Sequence, residues 1–282
     1  MTASMNDLAR QVRADSLYAI WRAGSGHPGG ALSASDILCE LFFGAAPIGD
    51  PRDPARDRLV LSKGHGCPSY YAAAAARGWV PRADLGQLRT PESPLQGHPD
   101  VSVAPWVETS TGSLGQGFSA ALGMALALRH NGRSSRVYAL LGDGEMQEGQ
   151  VWEVLMSGAH FRLDNLTAIL DDNKLQSDDR NANIMGLEPL VERLSSFGWF
   201  VQSVDGHDAD ALRVALQAAR GEKERPSFVV AHTIKGKGVS FMEDVPAWHG
   251  SVKLSHADFI KSLESLGLSN EEVEAYRHGK LD

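Results

Sequence analysis

Two oxygen-bearing side chains in this sequence are spaced for metal and phosphate chemistry. Asp143 sits in Gly142-Asp143-Gly144, directly after the apolar run 137–141, and Asn173 closes Asp171-Asp172-Asn173, directly after the apolar run 166–170. The two are 30 residues apart, the size of one strand–helix–strand unit. A right-handed crossover brings both strand tips to the same edge of a sheet. Neighbouring strands would set them about 4.8 Å apart. Two hard oxygen ligands with backbone carbonyls beside them suit Mg²⁺ or Ca²⁺, and Mg²⁺ completes its octahedron with water and phosphate oxygens. The glycines on either side of Asp143 leave room for a phosphate. Two ordinary polar turns are the alternative reading.

Other residues of chemical interest lie beside glycine. In Gly24-Ser25-Gly26-His27-Pro28-Gly29 the glycine spacing imitates a dinucleotide fingerprint. That fingerprint must follow a strand and open a helix, and here a helical pattern precedes it, so the motif reads as a helix stop that leaves His27 on open backbone. Ser62-Lys63-Gly64-His65 follows a strand directly, where ligands of parallel sheets bind. Gly112-Ser113-Leu114-Gly115-Gln116-Gly117 opens a helix and allows a flat or anionic ligand close to free N–H groups. No Gly-Lys-Ser/Thr follows it, which excludes a P-loop. His98, before Pro99, and His249, in Trp248-His249-Gly250, are also loop histidines beside glycine. Glu145 and Glu148 read as acids at a helix start. The histidines at 130, 160, 207, 232, 256 and 278 read as surface or satisfied polar groups.

The elements that must position these residues alternate. Asn6 caps a first helix with Leu8, Val12, Ile20 and Trp21 on its apolar face. A second follows Ser33 and runs to Phe43. Strands are predicted at 58–62, 137–141, 166–170, 200–204 and 228–231, and a strand tip at 108–111. Helices are predicted through 72–76, over 85–89, 114–129 and 150–161, after the cap Asp208, and around Val273 and Tyr276. Residues 246–249 fall in a long loop, of the size that is usually functional. Short continuous apolar strands between helices imply a mostly parallel sheet buried on both faces. The expectation is an α/β fold with three α/β/α layers, as one domain over 1–282.

Composition narrows the function classes. The chain has 282 residues, with 35 acidic against 27 basic, a net charge of −8. A nucleic-acid surface would need a basic face instead. Two distant cysteines, Cys39 and Cys67, exclude a disulfide scaffold and a thiolate zinc site and fit a reducing cytosol, so a cytoplasmic location is expected. Residues 1–22 hold no apolar signal-peptide core. The longest apolar run, 120–128, is too short to cross a bilayer. Neither a membrane nor a nucleic acid is an expected partner.

Taken together and in order, Gly26-His27-Pro28-Gly29, Ser62-Lys63-Gly64-His65, the 112–117 glycine loop, Gly142-Asp143-Gly144 with Gln147-Glu148-Gly149 and Trp152-Glu153, Asp171-Asp172-Asn173 and Trp248-His249-Gly250 resemble the N-terminal part of a transketolase. The resemblance spans residues 26–250 and implies a thiamine diphosphate-binding fold of the diphosphate-binding type. It implies that Asp143, the Asn173 side chain and the Leu175 carbonyl hold Mg²⁺ on the diphosphate. It places His65 and Gly144 on the diphosphate side, Gly112 and Leu114 at the aminopyrimidine, and His249 near both the diphosphate and the reacting centre. His27 and His98 would bind donor hydroxyls and assist proton transfer. Glu148 and Glu153 match acids at the contact between paired active sites.

Only the first of the family's three domains is expected in this chain. Ser62-Lys63-Gly64 and Gly112-Ser113-Leu114 look more like the divided form of the enzyme, in which a separate C-terminal subunit carries the pyrimidine-binding domain. Ketol transfer from a ketose to an aldose would then need that partner, in an α2β2 heterotetramer. A subunit dedicated to an unusual sugar, half of a 1-deoxyxylulose 5-phosphate synthase, and a cofactor-binding module without turnover are the rival readings.

Overall fold

The apolar runs become strands that all point one way. The computed structural model describes residues 4–44, 47–176 and 178–281. Among them, β1 (Arg58–Leu61), β2 (Val137–Gly142), β3 (Leu166–Asp172), β4 (Phe200–Asp205) and β5 (Ser227–His232) form a parallel sheet in the order β1-β2-β3-β5-β4. β2 and β3 are direct neighbours, with Gly142 opposite Asp171, so the two metal-type tips do share an edge. Inner strands are covered on both faces, as parallel pairing by crossover requires.

Helices fill both outer layers. On one face lie α1 (Met5–Ala23), α2 (Pro28–Phe43), α3 (Cys67–Ala76), α8 (Ala209–Gly221), α9 (His256–Ser265) and α10 (Asn270–Arg277), around Leu17, Ile37, Tyr70 and Phe259. On the other lie α4 (Gln116–His130), α5 (Gly149–His160) and α7 (Leu190–Ser196), around Phe118, Val151, Leu155 and Trp199, with the one-turn α6 (Asn181–Ile184) between β3 and α7. The three-layer α/β/α expectation is borne out.

Several boundaries differ. The α1 cap is Ser4 rather than Asn6, because Ser4 and Asp7 exchange hydrogen bonds in a capping box. α2 begins at Pro28, six residues before the expected start after Ser33, since proline at the first helical position loses no needed N–H. The segment Gly24-Ser25-Gly26-His27-Pro28-Gly29 therefore stops one helix at Gly24, in left-handed conformation with φ 67°, and opens the next. Residues 108–111 form no strand, and the 85–89 helix is a 3₁₀ turn over Arg82–Gln87. α4 starts at Gln116 because Gly115, at φ 82°, cannot lie within a right-handed helix. Helices α6, α7 and α9 were not expected from the sequence.

Candidate active site

The carboxyl ends of β1, β2, β3 and β5 converge on a cavity of about 160 Å³. Lys63, His65, Leu114, Asp143, Gly144, Glu148, Asn173, Lys235 and His249 all line it. The sequence reading named each of these except Lys235, and Lys63 only as part of a motif.

Asp143 is 2% exposed. Its Oδ1 accepts the Gly144 N–H at 2.8 Å, while its Oδ2 is buried without a hydrogen-bond partner. Burial pushes this carboxyl up, opposed by Lys235 and reinforced by Asp171 and Asp172. Asn173 is buried beside it. Its Oδ1 accepts the Leu175 N–H at 3.2 Å, and its Nδ2 donates to Asp171 Oδ2 at 3.2 Å. The Leu175 carbonyl accepts from Lys235 Nζ at 2.5 Å, so an ammonium sits on the oxygen that the resemblance assigns to a metal. Among the described residues no cluster of three His, Cys, Asp or Glu side chains could hold a metal. A cation here would depend on Asp143, Asn173, a carbonyl and ligand oxygens, a donor set suited to Mg²⁺.

The two buried lysines are held from far along the chain. Lys63 donates to the Gly30 carbonyl at 3.0 Å and pairs with Asp171. Ser33 Oγ donates to the same carboxylate at 2.6 Å, and Thr233 donates to its other oxygen. Burial would raise the Asp171 carboxyl, yet Lys63 and these hydroxyls hold it below the usual range. Lys235 also meets His249 Nδ1, and burial pushes its ammonium down, opposed by Asp143 and reinforced by Lys63. Lys235 follows β5 by three residues at the same sheet edge, which was the available signal for it.

Glu145 needs correction. It is not a helix-start acid in solvent but 1% exposed. It accepts from Ser62 Oγ at 2.5 Å, Gly115 N at 2.8 Å and Gly142 N at 3.1 Å, tying the β1 tip, the glycine loop and the β2 tip together. Two glycines permit that convergence. A Cβ on Gly117 would lie 2.7 Å from Ser62 Cα, and one on Gly64 would lie 2.8 Å from Gly112 N. Gly112 and Leu114 are thereby brought to the rim beside His65.

The histidines form a row. Ring centroids of His27 and His65 are 5.4 Å apart, and those of His65 and His249 are 5.7 Å apart. His98 packs beside Gly112. All four are held below the ordinary range, so all are neutral at pH 7. Burial comes first in each case. Lys63 then acts on His65, Lys235 brings His249 down to about 3, and Arg89 acts on both His98 and His27, the latter held at about 4. Glu148 stands at the first position before α5, at the rim of the cavity, with no side-chain capping bond, and Glu153 lies on the exposed face of the same helix. His207 and His232 have carboxylate partners, Asp36 at 2.6 Å and Asp172 at 2.8 Å, as satisfied polar groups should. No described helix is long and apolar enough to cross a membrane.

The profile of the family "Transketolase, thiamine diphosphate binding domain" matches residues 4–277. The chain is 44% identical over 255 residues to the 6-deoxy-6-sulfo-D-fructose transketolase subunit SqwG of Clostridium sp. (strain MSTE9), covering 88% of this chain and 92% of that protein. It is 34% identical over 263 residues to an apulose-4-phosphate transketolase subunit of Phocaeicola vulgatus, covering 93% of each. Against Homo sapiens transketolase it is 42% identical, over 88% of this chain but only 40% of that protein. Among solved structures, transketolase from Leishmania mexicana superposes with a TM-score of 0.88 at 28% identity, over 99% of this chain and 45% of the other.

Proposed function

Because the chain belongs to the family of transketolase thiamine diphosphate-binding domains, we propose that it is one subunit of a divided transketolase. In this reading it forms a single domain that holds the diphosphate end of Mg²⁺-bound thiamine diphosphate, with Ca²⁺ as an alternative metal. The observation that carries this reading is Asp143 Oδ2, buried and unpartnered at the tip of β2, with Asn173 at the tip of β3 in the same cavity. Buried carboxylate oxygens are normally satisfied, and a hard cation is the partner these oxygens suit.

When bound, thiamine diphosphate supplies the carbon nucleophile that carries a two-carbon ketol unit from a ketose to an aldose. The chain's residues hold and orient. Asp143 and Asn173 would hold the metal with the Leu175 carbonyl, which would pass from Lys235 to the cation. Lys235, His65, His249 and the Gly144 backbone would face the diphosphate, and Gly112 with Leu114 the aminopyrimidine. His27 and His98, neutral at pH 7, can accept a proton from donor hydroxyls and return it.

A partner chain is part of the reading. The two relatives named as subunits match this chain over nearly their whole length, and the full-length transketolases extend well beyond it. On the face near Glu148 and Glu153, Met156 is 56% exposed and Met185 62% exposed, apolar surface that a partner would cover. Two copies of this chain with two pyrimidine-domain subunits would close with two-fold symmetry. The test is calorimetry of thiamine diphosphate with Mg²⁺, and a ketol-transfer assay, on this chain alone and with candidate partners. Binding and turnover only with a partner support the reading; robust turnover by this chain alone would overturn the divided form.

The identity to the sulfofructose transketolase subunit favours a second, finer reading, in which the donor is a modified ketose. Assaying 6-deoxy-6-sulfo-D-fructose against ordinary ketose phosphates separates the two.

A further inference from the structure

We propose that Arg89 is a positioning residue whose guanidinium joins the three loops carrying His27, His98 and His249, so that these imidazoles keep one arrangement beside His65 and the glycine loop. The inference rests on reading those histidines as substrate-side groups.

Each loop meets Arg89 through a different contact. On the His27 side, Arg89 Nη1 donates to Ser25 Oγ at 2.6 Å. On the His249 side, the same nitrogen reaches Ser251 Oγ at 3.4 Å, and the two serine hydroxyls lie 2.8 Å apart. The backbones next to them pair as a two-residue bridge, Gly26 N–H to the Val252 carbonyl at 3.2 Å and Val252 N–H to the Gly26 carbonyl at 2.8 Å. On the His98 side, the Arg89 N–H donates to the Leu95 carbonyl at 2.9 Å. The guanidinium then lies against Gly97, where a Cβ would stand 3.0 Å from Nε.

Two further features single out this side chain. Arg89 Nε is buried without a hydrogen-bond partner. The residue stands at φ 64°, a left-handed conformation that side-chain-bearing residues rarely adopt. Such a conformation persists where its surroundings fix it, and it clusters at functional sites. One terminal nitrogen meets both serines while the rest of the planar guanidinium lies against the third loop; the point charge of an ammonium has no such plane to set there.

The charge acts on the same histidines. His27 is faced by Arg89, His98, Lys235 and Lys63, with the His65 ring beside it, and His98 by Arg89. Removing the guanidinium takes a cation away from both.

The experiment uses the full chain, labelled with ¹⁵N, as wild type, Arg89→Met and Arg89→Lys. The imidazole titrations and the amide exchange rates are followed by NMR. In Arg89→Met the midpoints of His27 and His98 should rise by about half a pH unit. The Gly26 and Val252 amides should exchange about tenfold faster in both variants, while amides of β2 and β3 keep their wild-type rates. Arg89→Lys keeps the charge but not the fork, so it should restore the titrations and leave the bridge loose. Unchanged titration and unchanged exchange in Arg89→Met would overturn the proposal, as would full restoration of the bridge by lysine. These readouts need neither cofactor nor partner. Absence of thiamine diphosphate binding would therefore remove the proposed function without touching this result.

Discussion

Two regions of the molecule bury charge, and they do it differently. In the corner between α1 and α10, Asp15 is fully buried and both its oxygens are taken. Oδ1 accepts from Arg82 Nη2 at 2.9 Å and from the Tyr276 hydroxyl at 2.8 Å, and Oδ2 accepts from Arg82 Nε at 3.0 Å. At the strand tips, Asp143 Oδ2 and His27 Nδ1 are buried without partners, and the two lysines Lys63 and Lys235 stand among neutral histidines. The first network is closed and can only hold the fold. The second is left open at Asp143, which lines the cavity, and at His27, which stands against the cavity's His65, as a site must be before it is filled. The α1–α10 corner also borders a larger cavity, of about 270 Å³. Volume does not single out the strand tips, whose cavity is smaller; unsatisfied atoms do.

Mutating one member of each network should break the comparison if it is wrong. The largest effect is expected at the open site. Asp143→Ala should reduce Mg²⁺-dependent thiamine diphosphate binding by the assembled enzyme about 100-fold or more, since a hard oxygen ligand is lost. Its thermal midpoint should stay at or above wild type, because an unsatisfied buried carboxyl is removed. Calorimetry and a melting curve on the same sample read both. Unchanged affinity would show that Asp143 is as structural as Asp15.

The next effect falls on turnover. His27→Ala and His98→Ala should each lower kcat/KM for the ketose donor by about 10²- to 10⁴-fold, the usual worth of general acid–base help. Cofactor affinity should hardly move. Normal turnover in both variants would remove the substrate-side roles. The closed network should give the reverse pattern. Arg82→Met leaves Asp15 and Tyr276 without their cation and should cost about 3–5 kcal/mol of stability in chemical unfolding. The fraction that remains folded should bind cofactor normally.

The contrast also explains what the sequence could and could not reveal. Strands were legible because a parallel sheet writes continuous apolar runs, and the tips followed from where those runs end. Asp143 and Asn173 could be paired because one crossover separates them. The α2 start was misplaced even though Pro28 marks a first helical turn, since the two flanking glycines read more strongly as a stop. The ties that shape the cavity were not legible. Lys63 finds Asp171, Glu145 finds Ser62 and Gly115, and Arg89 finds Ser25 and Ser251 across folded, not sequential, distance. Nothing in local composition distinguishes a buried Glu145 at the start of a turn from an exposed one.

The smallest expected effect is on pH dependence, and it sharpens the comparison at one atom. His27 has a folded value near 4 against an ordinary 6.5, because burial and then Arg89 disfavour its charged form. Between those values the unfolded chain binds a proton that the folded chain refuses. Stability therefore rises with pH across this window and is lost as pH falls from about 6.5, levelling off below about 4. The ring is partly open to solvent, so the slope should be well below that of a fully buried group. The measurement is the urea midpoint of wild type and His27→Asn at pH 7 and pH 5. Every other titrating group is common to both proteins, so the difference between their pH dependences isolates His27 and whatever it couples to, chiefly His98. The wild type should lose a few tenths of a molar more than the variant over that range. Equal losses would mean that the unpartnered Nδ1 takes up a proton freely in the folded protein, and that the open site is more hydrated than its burial implies.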